Sequence, residues 1–135
     1  MGRTIREIYK MDYDKSSFES SLVSWYNKFI DKTPKDLDVF DVSRMLRQNI
    51  LRELAIKKAV HIFNDDPYVG EMYECDLLKR LVGCLPEVRG FRQKKLLRNA
   101  VKRALANYEE YDWQSVEDKN AFFHNLNTVK DYLKK

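Results

Sequence analysis

Apolar residues recur at helical spacing along most of the chain, with polar residues on the opposite side of each pattern. Capping patterns mark several helix starts: Thr4 with Glu7 and Ser16 with Glu19 form capping boxes, and Ser115 with Asp118 resembles another cap. Strand patterns are nearly absent, so we predict an all-α fold, a single compact domain of about five to seven helices over residues 1–135 whose first fourteen residues are loosely held. The patterns predict helices within residues 1–14, from 16 to 30, from 39 to about 54, from 56 to about 64, from 74 to about 82, from 90 to 108 and from 115 onward.

The composition fits a small globular domain. The 135 residues are 44% hydrophobic and 34% charged, with only four glycines and three prolines. The chain has neither an apolar run long enough to span a membrane nor a signal-peptide pattern, and we therefore expect it in the cytoplasm. Cys75 and Cys84 are too far apart for a C-x-x-C motif and are expected to be reduced core thiols. His61 and His124 are isolated, so we predict no metal site and no cofactor.

The segment from Asp65 to Leu78 separates two apolar helical patterns and contains the strongest turn signals in the chain. Pro67 lacks a backbone donor and disfavours a helical Asp66, while Gly70 tolerates a positive φ. Acids and tyrosines surround these turn residues, which suits two roles at once: buried side chains that hold the fold and exposed ones that meet a basic protein. No activated nucleophile and no phosphate-binding loop accompanies them, so we predict that the protein is not an enzyme.

Arg47 falls on the apolar side of the predicted third helix. At about 100° per residue, its side chain projects between those of Phe40 and Leu54. A guanidinium on such a face needs a carboxylate, because an unpaired buried charge costs several kcal/mol. The nearest acids on the loop are Asp66 and Glu71, and we predict that one of them forms an internal ion pair with Arg47.

Charge is distributed unevenly along the chain. The segment from Arg89 to Arg103 contains seven basic residues and no acid, which leaves 18 basic against 21 acidic residues elsewhere and a net charge of +4. The helix predicted there places its basic residues opposite its apolar ones, at Arg92, Lys95, Arg98 and Lys102. Such a face is typical of a solvated surface, a protein contact or a phosphate-binding surface, and the basic set lacks interleaved aromatics for base stacking.

Two motifs in the middle of the chain resemble those of the immunity proteins of contact-dependent growth inhibition (CDI) systems. That family has an arginine–glutamine pair on one helix, followed by a D/N-P-x-x-G-E-x-Y loop that enters a leucine-rich helix. This chain has DVSRMLRQN at residues 41–49 and DPYVGEMYECDLL at residues 66–78. The resemblance covers residues 41–82, and Cys75 and Asp76 stand where relatives usually have Gly and Glu.

The resemblance implies a small cytosolic protein that binds the C-terminal toxin domain of a cognate secreted exoprotein and blocks its activity, often a nuclease activity. We expect a monomer in a one-to-one complex that occludes the toxin's active site, with no contact to a membrane. If the toxin is basic, we expect it to contact the acidic, aromatic edge of the loop, formed by Asp65, Tyr68, Glu74 and Asp76. If its active site is acidic, the alternative surface is the basic face, formed by Arg92, Lys95, Arg98 and Lys102.

The competing hypothesis is a small nucleic-acid-binding regulator that uses the same basic face. A regulator of this kind should bind arbitrary DNA with steep salt dependence, whereas an immunity protein should not bind DNA at physiological salt. We favour the immunity protein and do not expect a nucleic-acid partner.

Overall fold

The computed structural model describes residues 2–15, 20–71 and 75–134, and within these it contains seven α-helices and no strand. The prediction of an all-α fold is therefore confirmed. None of the helices in this part of the chain is long and apolar enough to cross a membrane. The helices are α1 Ile5–Tyr9, α2 Ser21–Phe29, α3 Val39–Gln48, α4 Arg52–Asp65, α5 Asp76–Gly83, α6 Phe91–Asn107 and α7 Val116–Leu133, with short 3-10 segments at Pro34–Asp36, Leu85–Glu87 and Tyr108–Glu110.

One hydrophobic core collects the apolar faces of all seven described helices. α4 packs against α3 and α6, and α7 closes the other side against α6 and α5. Burying a large apolar side chain stabilises the fold by roughly 1.5–3 kcal/mol, so the core supplies most of the driving force. Its fully buried members include Ile5, Phe29, Met45, Phe63, Leu77 and Leu126.

Side-chain caps start several helices where the sequence predicts them. The Thr4 hydroxyl accepts a hydrogen bond from the Glu7 backbone, and Ser115 caps α7 by accepting one from Asp118 at 3.0 Å. The predicted pair of Ser16 and Glu19 lies outside the described residues. α2 begins at Ser21 with Ser20 as its cap, later than predicted, because Ser20 has extended backbone angles. The boundaries of α6 and α7 lie within one residue of those predicted.

The prediction of one long helix from residue 39 to about 54 is wrong. α3 ends at Gln48 because Asn49 adopts a left-handed conformation with φ of 57°, and Leu51 is left-handed too, with φ of 46°. Asn tolerates this conformation through its short polar side chain, whereas a bulky Leu adopts it only when its surroundings enforce it. α4 then begins at Arg52, so the chain turns a corner where the apolar pattern suggested a continuous helix.

Candidate functional site

Arg47 and Glu71 form a bidentate ion pair that joins α3 to the loop before α5. Arg47 Nη1 donates to Glu71 Oε1 at 2.6 Å, and Nη2 donates to Oε2 at 2.9 Å. The Arg47 side chain is 28% exposed and that of Glu71 12%, so the pair lies at the margin of the core. Arg80 Nη2 lies 3.7 Å from the same Glu71 oxygen, a second cation that the sequence pattern did not indicate. This cluster fixes the loop against two helices.

Two further acids of the loop have structural contacts. Asp66, the other candidate partner of Arg47, instead accepts a hydrogen bond from the Tyr68 backbone at 3.0 Å. Asp76 is 3% exposed, and its Oδ1 accepts a hydrogen bond from the Glu71 backbone at 2.8 Å. From this buried position, Asp76 holds the backbone of the residue that pairs with Arg47.

Tyr68 belongs to an aromatic cluster that ties the loop to the C-terminal part of the fold. Its ring stacks on Tyr111 at 4.1 Å between centroids and on Phe122 at 5.1 Å, and meets Trp113 edge-on. The Tyr68 hydroxyl donates to Asn107 Oδ1 at 2.6 Å, and burial raises its pKa. The Tyr68 ring therefore packs against other aromatic rings within the molecule.

Asp41, the first residue of the helix motif, is a buried polar hub. Its carboxylate accepts hydrogen bonds from Trp25 Nε1 at 2.9 Å and from Lys32 Nζ at 2.6 Å. The Asp38 backbone NH donates to it as well, at 3.2 Å, which completes a capping box. Burial alone would raise the pKa of Asp41, but these hydrogen bonds outweigh burial and hold the pKa below its usual value. The motif residues thus secure the junction of α2 and α3.

The three described residues of the predicted acidic edge do not form one exposed surface. Asp65 is exposed at the end of α4, whereas Tyr68 is packed and Asp76 is buried. Glu74 lies outside the described residues. The buried carboxylate of Asp76 accepts a hydrogen bond from the Glu71 backbone, and its contact with a toxin stays a prediction.

The basic face of α6, in contrast, is open to solvent. Its four predicted residues, Arg92, Lys95, Arg98 and Lys102, are all exposed. Phe91 begins the helix and is 78% exposed, and Lys95 Nζ lies 6.0 Å from the centroid of its ring. The expectation of a basic face without aromatics is thus wrong at its N-terminal end. The i, i+4 spacing of Phe91 and Lys95 is the signal that could have revealed this contact.

The C-terminal half of the basic face forms one wall of a groove between α6 and α7. Lys130 of α7 and Lys134, the residue after its last turn, lie on the opposite wall, and the groove has a volume of about 570 Å³. Its apolar lining, which we call the floor, includes the half-buried Leu105 and Leu133 and the buried Val101. We call this the basic groove; its cations are Arg98, Lys102, Lys130 and Lys134.

These contacts define a class of protein: a small helical domain whose polar motifs hold its shape and which has a groove lined by cations and apolar side chains. A family model of CDI immunity proteins matches residues 7–98, more than half of the chain, and the chain belongs to that family. The resemblance predicted from two motifs is thus confirmed and extends beyond them. No curated protein matches the chain. The second half of α6 and all of α7 lie beyond the matched residues.

Proposed function

We propose that this protein binds and neutralises the C-terminal toxin domain of its cognate CDI exoprotein in the cytoplasm. Membership of the CDI immunity family is the observation that carries the proposal. The protein acts as a monomer in a one-to-one complex that covers the active site of the toxin, which we propose to be a nuclease. It needs no cofactor and performs no chemistry of its own.

The affinity that such protection demands limits which surface can serve. Neutralising a toxin that kills in few copies calls for nanomolar binding, about 12 kcal/mol. An exposed ion pair contributes only about 0–1 kcal/mol, so a purely charged surface is insufficient. An apolar centre with a charged rim is the arrangement that tight interfaces use.

Of the two surfaces predicted from the sequence, the basic face of α6 meets this requirement better. The acidic edge offers the exposed Asp65, while Tyr68 and Asp76 are engaged in internal contacts. The basic face combines open cations with the exposed ring of Phe91. We therefore propose that the toxin binds there.

Growth rescue tests the proposed function. Cells that express the toxin domain encoded by the adjacent exoprotein gene should stop growing, and co-expression of this chain should restore growth. A toxin domain from an unrelated CDI system serves as the specificity control and should remain lethal. Failure of the wild-type chain to rescue cells from its own toxin would overturn the proposal.

The nucleic-acid hypothesis keeps one supporting observation, the exposed Phe91 beside Lys95. Aromatic side chains next to cations are a common platform for unpaired bases. Fluorescence anisotropy with single-stranded and duplex DNA at physiological salt distinguishes the two functions, and the immunity protein should give no binding.

A further inference from the structure

The cations of the basic groove differ from Arg47 and Arg52, which pair with carboxylates. Arg47 pairs with Glu71, and Arg52 pairs with Glu87 through two hydrogen bonds of 3.0 and 2.7 Å. Among the described residues, no carboxylate lies within 4.0 Å of any groove cation. Four like charges around one depression raise its positive potential, which an anionic partner would relieve. The groove cations are Arg98, Lys102, Lys130 and Lys134.

The floor of the groove favours a protein partner over a nucleic acid. A phosphate backbone would satisfy the cations but would leave the apolar surface of Leu105 and Leu133 facing water or polar atoms. An acidic protein segment that also carries one or two apolar side chains satisfies both the rim and the floor. The volume of about 570 Å³ is large enough to accept such side chains.

The surface continues beyond the groove along one side of α6. Phe91, Lys95, Arg98 and Lys102 are spaced i, i+4, i+7 and i+11, which aligns them in a single stripe. At 1.5 Å per residue the stripe is about 16 Å long, the length of three helical turns. Phe91 at one end is an exposed aromatic of the kind that dominates binding energy, and the groove lies at the other end.

The location of the groove suits a role in partner choice. Lys102, Lys130 and Lys134 all lie beyond the residues that the family model matches, which end at 98. Discrimination between cognate and foreign toxins requires residues that the shared fold does not dictate.

We propose that the basic groove and the stripe leading to Phe91 form the docking site for an acidic segment of the cognate toxin domain, whose apolar side chains enter between α6 and α7. The proposal rests on the proposed function and identifies its binding surface and the chemistry of its partner. Lys102 and Lys130, which come from different walls of the groove, are its central charges.

Charge reversal across the groove tests the proposal. The double variant Lys102→Glu with Lys130→Glu should bind the purified toxin domain about 100-fold more weakly in titration calorimetry, and should lose growth rescue. Lys28→Glu with Lys57→Glu makes the same change in net charge on α2 and α4, at exposed lysines that do not line the groove. This control should bind within about threefold of wild type.

Milder variants guard against misfolding of the charge-reversed protein. Lys102→Ala with Lys130→Ala should weaken binding about tenfold, and Phe91→Ala should do so by at least as much, each with an unchanged melting temperature.

If the wild-type chain does not bind the toxin domain, the proposed function fails. If it binds and the groove variants bind equally well, the function stands and the docking site is refuted. Competition by a short DNA duplex for the groove would also refute the protein partner.

Discussion

Breaking the Arg47–Glu71 ion pair should destabilise the fold by an amount that its burial sets. Fully exposed pairs are worth about 0–1 kcal/mol, whereas removing one partner of a buried pair costs about 3–5 kcal/mol. The side chains of Arg47 and Glu71 are 28% and 12% exposed and share two hydrogen bonds, which places the pair between these limits. We therefore expect each single substitution to cost about 1–3 kcal/mol.

The two partners should not be equivalent, because Arg80 lies beside Glu71. Arg47→Met retains an apolar stem and leaves the Glu71 carboxylate with Arg80 Nη2 at 3.7 Å. Glu71→Gln removes the carboxylate that both arginines contact and leaves the two like charges near each other. Glu71→Gln should accordingly be the more destabilising of the two substitutions.

A double-mutant cycle measured by urea unfolding gives the coupling between Arg47 and Glu71 directly. We expect a coupling of about 1 kcal/mol or more, and a fall in melting temperature of roughly 4–11 °C for the single variants. Toxin affinity should be unchanged wherever the variants remain folded. A coupling below about 0.3 kcal/mol, or a larger loss for Arg47→Met than for Glu71→Gln, would refute the reasoning.

Substitutions at three further positions test other parts of the structure. The folded pKa of Asp41 lies below its usual 3.8, so the stabilisation from its carboxylate is present above about pH 4 and is lost as the pH falls through the folded value. Asp41→Asn should therefore unfold at lower urea concentration than wild type at neutral pH. The difference in stability between the variant and wild type should be smaller near pH 3. Tyr68→Phe keeps the ring stacking but loses the hydrogen bond to Asn107, and should cost about 1 kcal/mol in thermal unfolding, against about 3 kcal/mol for Tyr68→Ala. Gly90→Ala should cost about 1–3 kcal/mol although a Cβ there meets no atom within 4 Å, because Gly90 has φ of +89°; an unchanged melting temperature would contradict this.

Local signals in the sequence predict the parts of the fold that depend on neighbours along the chain. The caps at Thr4 and Ser115 follow from residues three positions apart, and α6 follows from its regular apolar spacing. The sequence did not reveal the corner between α3 and α4, because Ile50 and Leu51 continue the apolar pattern across it. The two left-handed residues that make the corner are Asn49 and Leu51. Apolar spacing reports burial, and burial alone does not reveal a change in backbone direction.

Among the contacts of the loop, some could be predicted from the sequence and others could not. The angular position of Arg47 indicated an acid partner on the loop, since a charge on an apolar face requires one. The packing of Tyr68 was not predictable, because its partners Tyr111 and Phe122 lie more than forty residues away in sequence. The basic groove also required the structure, because it arises only where α7 brings Lys130 beside α6.

The most direct test of neutralisation by binding is a titration of toxin activity against this protein. The purified toxin domain, held well above the dissociation constant of the complex, should lose activity in proportion to added protein. Activity should reach zero at one molecule of this protein per toxin domain. Inactivation of many toxin domains by one molecule, or full activity at equimolar protein, would contradict the account.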